Sequence, residues 1–139
     1  MGHTCHAALC SADVPPRMFA CRMHWGRLPT PAQRLIWEFY RPGQEDDKRP
    51  SVAYMAVQQL AVSILATQDA RRSPRGPALE REAVVALRNA LAWAEQAAPE
   101  GAEGPTPLLE RVKETWRRVV PLDPFSRGIV SQAIAPDPP

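Results

Sequence analysis

All three cysteines and all three histidines of this 139-residue chain lie within its first 24 residues. Residues 1–30 show neither a helical nor a strand period of apolar residues. A segment of that kind needs another source of stability than a large core, such as a bound metal or a disulfide. From Thr30 onward the sequence changes to amphipathic stretches separated by some of the 16 prolines. The chain is therefore expected to have two parts that are stabilised in different ways.

The spacing C-x4-C-x10-C-x2-H joins four candidate metal ligands, namely Cys5, Cys10, Cys21 and His24. Structural zinc is bound tetrahedrally by thiolate and imidazole ligands, which commonly come from two short knuckles. The first two cysteines would form one knuckle and the Cys-x-x-His pair the other, with Pro15-Pro16 as a stiff turn between them. Four protein ligands leave no coordination position for water, so the spacing predicts one structural zinc ion.

Other interpretations of these residues stay open. Free cysteines are commonly buried as small apolar residues in a reducing compartment. A disulfide is less favoured because the number of cysteines is odd, and an iron–sulfur cluster with three cysteines and one histidine would have an unusual ligand set. The rivals of His24 are His6, which adjoins Cys5 and would be strained as a co-ligand, and His3, which lies close to the chain end.

The remainder of the chain predicts a mainly α fold. We expect a bundle of four to five helices over residues 31–135, a small irregular zinc module at 1–30 packed on it, and a disordered tail at 136–139. Thr30-Pro31 followed by Gln33 predicts an N-cap, a first-turn proline and a capping box. Prolines and loops place the helices at about 30–40, 51–71, 78–98, 106–120 and 123–134.

Three local features complete this prediction. Ser51 is the expected N-cap of the second bundle helix, ahead of a single apolar stripe that includes Leu60 and Ile64. Trp25 and Leu28 are expected to pack the zinc module onto the first bundle helix. A short ribbon of Val14–Pro16 with Met18–Ala20 is the one strand pair that the sequence suggests.

The charge balance and the hydropathy pattern exclude several classes of protein. The chain has 17 Lys+Arg against 15 Asp+Glu, which is too balanced for a nucleic-acid coat or a polybasic membrane anchor. No apolar run approaches the roughly 18–20 residues that a membrane span needs. The first ten residues also lack a basic segment followed by an apolar one, so we expect no secretory signal. These features predict a cytoplasmic protein without a membrane partner.

The stretch CHAALCSADVPPRMFACRMHWGRLP, from Cys5 to Pro29, resembles small uncharacterised zinc-binding proteins encoded by bacteriophages and prophages. Those proteins share paired cysteines, a proline turn, a C-x-x-H-W element and a Leu-Pro that leads into a helix. The similarity continues through the Arg41–Gln44 turn to Tyr54 and covers residues 4–54. The resemblance implies a phage origin, hence the cytoplasm of a bacterial host, and a metal site at the same four ligands.

Catalytic signatures are missing from the sequence. It contains no H-E-x-x-H, Walker loop, G-x-S-x-G or zinc-deaminase motif. An HNH-type nuclease needs further histidines, and none follows His24. An enzyme would have to rely on carboxylates such as those of residues 45–47, and an acidic run in a loop is usually only solvated. We therefore expect that the chain is not an enzyme.

Arginines are the most prominent candidates for a partner-binding surface, because arginine suits phosphate and is enriched at binding hot spots. The favoured hypothesis is a non-enzymatic phage-type accessory protein that binds and inhibits or redirects a host protein or nucleoprotein complex, as anti-defence or anti-CRISPR proteins do. The alternative is a zinc-stabilised regulator that binds DNA or RNA directly. The long apolar stripes would also allow a homodimer. The candidate contact residues are Arg71, Arg72, Arg75, Arg117 and Arg118.

Overall fold

The computed structural model describes residues 2–16, 18–40, 50–72, 76–97, 107–120 and 123–134. The mainly α prediction is confirmed: six helices and one short two-stranded ribbon form within these residues, and five of the helices begin at or after Thr30. The elements are β1 (His3–Thr4), β2 (Asp13–Val14), α1 (Arg22–Arg27), α2 (Thr30–Phe39), α3 (Val52–Ala70), α4 (Gly76–Gln96), α5 (Leu108–Val119) and α6 (Pro124–Ile134). The predicted tail at 136–139 lies outside the described residues.

Helix α3 is the centre of the bundle. It packs against α2, α4 and α5, and most extensively against α4. The prediction of a single apolar stripe is incomplete, because α3 is buried on nearly all sides: Ala56, Ala61 and Ala66 are as fully covered as Leu60. A helix that is apolar all round belongs inside a core rather than on its surface.

The contact between α3 and α4 includes a buried polar side chain. The hydroxyl of Ser63 is fully buried and donates a hydrogen bond to the carbonyl oxygen of Ala83 at 2.7 Å. The hydroxyl of Thr67, one turn further on, donates to the carbonyl oxygen of Ser63 at 2.8 Å. Both hydroxyls therefore have partners, as buried polar groups require.

The start of α3 is capped as predicted. The Oγ of Ser51 accepts a hydrogen bond from the backbone N–H of Tyr54 at 3.0 Å. This N–H is one of the four at a helix start that have no partner within the helix. Ser51 is therefore a true N-cap residue.

Replacing Ser51 with alanine should lower the free energy of unfolding by about 1 kcal/mol, because the N–H of Tyr54 loses its acceptor. Urea denaturation measures the change. The matched control is Ser51→Asp, which keeps an acceptor at the N-cap and should keep most of the stability. An equal loss in both variants would show that the side-chain hydrogen bond does not stabilise this helix start.

The capping box predicted at Thr30 is wrong. Pro29 is the N-cap of α2, and Thr30 is already the first helical residue. The amide of Gln33 donates to the carbonyl oxygen of Trp25 at 2.8 Å, so it ties α2 to the end of α1. The local pattern assigns the side chain of Gln33 to the cap, but in the structure this side chain bonds to a neighbouring helix instead.

The start of α6 agrees with the sequence prediction, whereas α5 begins at Leu108, two residues later than predicted. Asp123 accepts a hydrogen bond from the backbone N–H of Ser126 at 2.9 Å, as expected at the start of α6. Pro107 is the N-cap of α5, whereas Thr106 lies outside the described residues.

Arg111 of α5 makes two hydrogen bonds to Glu38 of α2, at 2.5 and 2.8 Å, and these bonds lower the pKa of Glu38.

The ribbon at the N-terminus pairs differently from the prediction. His3 lies opposite Val14 and Thr4 opposite Asp13, in an antiparallel register. The partner predicted for Val14 at Met18–Ala20 is wrong. Proline has no N–H to donate to a ladder, so the Pro15-Pro16 segment is a poor strand. The N-terminal part nevertheless shares one hydrophobic core with the bundle, to which it contributes buried Val14, Phe19, Ala20 and Leu28.

Trp25 contacts the first bundle helix, as expected. Its ring meets that of Trp37 on α2 edge to face, with the ring centroids 6.0 Å apart. Trp37 meets Tyr40 in the same way at 5.8 Å. Leu28, just beyond α1, is 2% exposed. The aromatic row and Leu28 therefore fix the position of α1 on α2.

Candidate metal centre

The four predicted ligands lie together. The Sγ atoms of Cys5, Cys10 and Cys21 and a ring nitrogen of His24 are all within 4.8 Å of one another. The Nδ1 of His24 is 3.2 Å from the Sγ of Cys21 and 3.6 Å from the Sγ of Cys5. Tetrahedral zinc, with Zn–S of about 2.3 Å and Zn–N of about 2.0 Å, places its ligand atoms about 3.5–3.8 Å apart. The cluster is thus close to the spacing that one such ion requires.

The first knuckle is a tight loop between the two strands. Cys5 follows β1, and its backbone N–H donates to the carbonyl oxygen of Ala12 at 2.8 Å. The N–H of Cys10 donates to the carbonyl oxygen of Ala7 at 3.2 Å, which closes a turn. Leu9, within this turn, has a φ of 61°. That conformation is uncommon for a residue with a side chain, and it lets the chain reverse between the two cysteines.

The second knuckle is the start of α1, a helix that the sequence reading did not predict. Cys21 is the N-cap of this helix, and His24 lies three residues on, so both side chains are on one face. The backbone N–H of Cys21 donates to the Sγ of Cys5 at 3.2 Å. That hydrogen bond links the second knuckle directly to the first.

The thiols of the metal-free cluster differ in acidity. Burial raises the pKa of Cys5 to about 11. A backbone hydrogen bond with His24 is the main cause that lowers the pKa of Cys21 to about 7. Cys21 is therefore more readily available than Cys5 as a thiolate at neutral pH. A metal ion that binds there would favour deprotonation of the remaining thiols.

His24 is held from its far side by a residue that sequence reasoning missed. Its Nε2 is 3.1 Å from the Oδ2 of Asp69, which lies near the end of α3. The Nη1 of Arg27 donates to the Oδ1 of the same carboxylate at 2.7 Å. A carboxylate on the second nitrogen of a histidine is the usual support of a metal-binding imidazole, because it fixes the tautomer and the ring orientation.

The position of Asp69 in the sequence carries a usable signal. It is the only charged residue of α3, a helix that is otherwise buried over most of its surface. A carboxylate next to a core helix needs a partner, because burial of an unpaired charge is costly. That reasoning would have flagged Asp69, although it would not have identified His24 as the partner.

The rival histidines lie outside the cluster. The rings of His3 and His6 stack on each other with centroids 4.6 Å apart, and His6 also stacks on Phe19 at 5.4 Å. Burial, with a further contribution from His3, lowers the pKa of His6. The structure therefore brings His24, and neither rival, next to the three thiols.

The four candidate contact arginines that the structure describes are exposed and lie at the ends of two helices. Arg71 pairs with Asp123 and also donates to the hydroxyl of Ser126 at 2.8 Å. Arg117 and Arg118 lie in the last turn of α5, on a different helix from Arg71. Arg72 makes no ion pair with any residue that the structure describes. Arg75 lies outside the described residues.

No helix in the described part of the chain combines the length and the apolar character that a membrane crossing needs. The chain matches no protein-family model, no curated protein and no solved structure in comparisons with each. The geometry of the four side chains is therefore what indicates the chemistry of the centre.

Proposed function

We propose that Cys5, Cys10, Cys21 and His24 bind one structural zinc ion. Three thiolates with one imidazole are a donor set that suits zinc, whereas carboxylate and carbonyl oxygens suit magnesium and calcium. The contact of His24 with Asp69 supports this assignment, because it directs Nδ1 towards the thiols. Four protein ligands complete a tetrahedral shell, so the role of the ion is to hold the two knuckles together.

Protein purified without chelators should contain about one equivalent of zinc per chain, measured by elemental analysis. Substitution with cobalt should give the visible spectrum of tetrahedral thiolate coordination. Less than about half an equivalent, in protein that is otherwise folded, would contradict the assignment. His6→Ala is the matched control, and it should keep the full metal content because His6 lies outside the cluster.

We further propose that the protein is a non-enzymatic accessory protein that binds a host protein or nucleoprotein complex. The observation that supports this proposal is the cluster of three cysteines and a supported histidine, all of which the proposed ion would use for a structural role. The described residues contain no second cluster of metal-binding side chains. The groups left for contact are exposed arginines and Trp37, which is 54% exposed, and these residue types are enriched at binding hot spots.

The contact surface can be tested separately from the metal. The double variant Arg71→Ala with Arg72→Ala should weaken recovery of a host complex from nuclease-treated bacterial extract by at least about tenfold. Zinc content should stay unchanged. Arg34→Ala is the matched control, since it removes an exposed charge from α2. If the wild-type protein recovers a complex from untreated extract but not from nuclease-treated extract, the result would favour the DNA- or RNA-binding regulator. Turnover of a nucleotide substrate would contradict both proposals.

A further inference from the structure

A cleft of about 410 Å³ lies where the last turn of α3 approaches the end of α5. Its size is within the roughly 300–1,000 Å³ that is usual for ligand sites. Three arginines line it, and no carboxylate does. We call it the arginine cleft. Its lining consists of Arg27, Arg71, Arg72, Thr67, Gln68, Ile64, Val119 and Val120.

The arginines of this cleft have donors without partners. A guanidinium carries five N–H donors. Arg27 donates to Asp69 through Nη1, and its Nε is buried without a hydrogen-bond partner among the described residues. Arg71 uses Nη2 for Asp123 and Ser126. The side chain of Arg72 has no partner in the described part of the chain, so its own donors are free for a ligand.

A second cleft, of about 570 Å³, shares Arg27 and Arg72 but differs in charge. It is also lined by Cys10, His24 and Asp69, which belong to the candidate metal centre or support it. The carboxylate and a zinc-bound thiolate would repel an anion there. No carboxylate lines the arginine cleft, although Arg27 and Arg71 each pair with an aspartate next to it, so of the two clefts it is the one better suited to an anion.

We propose that the arginine cleft binds a phosphate group carried by a nucleotide or by a nucleic-acid strand. The planar fork of a guanidinium matches two phosphate oxygens at once, and hydrogen bonds between charged groups are stronger than neutral ones. On the apolar side of the cleft Ile64 and Val120 are buried, and the partly exposed Val119 is the residue that can contact the sugar or base. Binding of phosphate at this cleft needs no host partner, so purified protein is enough to test it.

The test measures fluorescence anisotropy of a labelled single-stranded DNA oligonucleotide of mixed sequence, at low salt, with the zinc-loaded full chain. Arg72→Glu should weaken binding by at least about tenfold. Arg81→Glu is the matched control: it makes the same change in net charge at an exposed position on α4 that does not line the cleft, and it should change binding by less than about threefold. Zinc content and circular dichroism confirm that both variants are folded.

Competition by adenosine monophosphate distinguishes the two sources of phosphate. Displacement of the oligonucleotide by adenosine monophosphate, from the wild-type protein and from the Arg81→Glu variant alike, assigns the cleft to a single nucleotide. Retention of the oligonucleotide assigns it to a strand, provided that Arg72→Glu has the larger effect. Equal losses for Arg72→Glu and Arg81→Glu, or no binding of either probe, would overturn the proposal. Recovery of a host complex is a separate experiment, so its failure would not be mistaken for failure of the cleft.

Discussion

Replacing Cys21 with serine should release the metal and lower the free energy of unfolding by several kcal/mol, about 3–5. Cys21 is the thiol with the pKa of about 7, and its backbone N–H is bonded to the Sγ of Cys5. The described segment that contains both knuckles has one ribbon of two two-residue strands and one six-residue helix as its regular structure. Without the ion, little holds Cys5 and Cys10 against α1, so the site and the local fold should be lost together.

Thermal unfolding with parallel elemental analysis measures both effects of Cys21→Ser. The control is His6→Ala, which removes an exposed ring that stacks on Phe19 but no member of the cluster. That variant should keep its zinc even if its melting temperature falls. A Cys21→Ser protein with full metal content and an unchanged melting temperature would show that the thiol is not a ligand.

Chelation is a second test of the coupling between metal binding and folding. Removal of zinc from the wild-type protein should reproduce the stability loss of Cys21→Ser, because binding energy at such a site is also folding energy. In the Cys21→Ser variant, chelation should cause little further loss of stability. The two changes are then non-additive, as expected for perturbations of one site.

The cluster of three cysteines and His24 could be predicted from sequence because the information for it is local. The two knuckles are short, and the C-x-x-H spacing itself places Cys21 and His24 on one helical face. The helices from Ser51 onward were predictable for the same reason, since proline, caps and periodicity act within a few residues. Here the prediction and the structure differ by only a few residues at each helix end.

Features that depend on distant contacts were missed. The side chain of Gln33 fits a capping box in the sequence, but its amide bonds to Trp25 of another helix. The sequence of α3 is apolar on nearly all sides, but it does not show which helices cover its alanine-rich sides. The pairing of His3 with Val14 likewise joins residues on either side of the first knuckle. Each of these contacts is decided by the tertiary fold rather than by local preference.

The residues that line the arginine cleft likewise could not be identified from the sequence alone. Sequence reasoning selected Arg71 and Arg72 because they are adjacent and basic, and it grouped them with Arg117 and Arg118 of α5. The structure places the first two beside Arg27, which is 42 residues from Asp69, its carboxylate partner. Val119 and Val120, rather than the neighbouring arginines, are the residues that α5 and its C-cap contribute to the cleft.

Replacing Asp69 with alanine should weaken metal binding by about 10–100-fold, because His24 loses the carboxylate that orients its ring. The loss corresponds to about 1.4–2.8 kcal/mol of binding free energy. Asp69→Asn keeps an oxygen that can accept from Nε2 of His24 but removes the charge, so its loss should be smaller. Competition with a chromophoric zinc chelator measures the affinity of each variant.

Two further variants separate the effect on His24 from a general loss of charge. Asp13→Asn removes an exposed carboxylate from β2 and should leave the affinity unchanged. Arg27→Ala removes the other partner of Asp69 without touching His24, so it should weaken metal binding less than Asp69→Ala does. An affinity for Asp69→Ala equal to that of the wild type would show that the carboxylate does not support the metal-binding imidazole. The contact at 3.1 Å would then serve only to join α1 to α3.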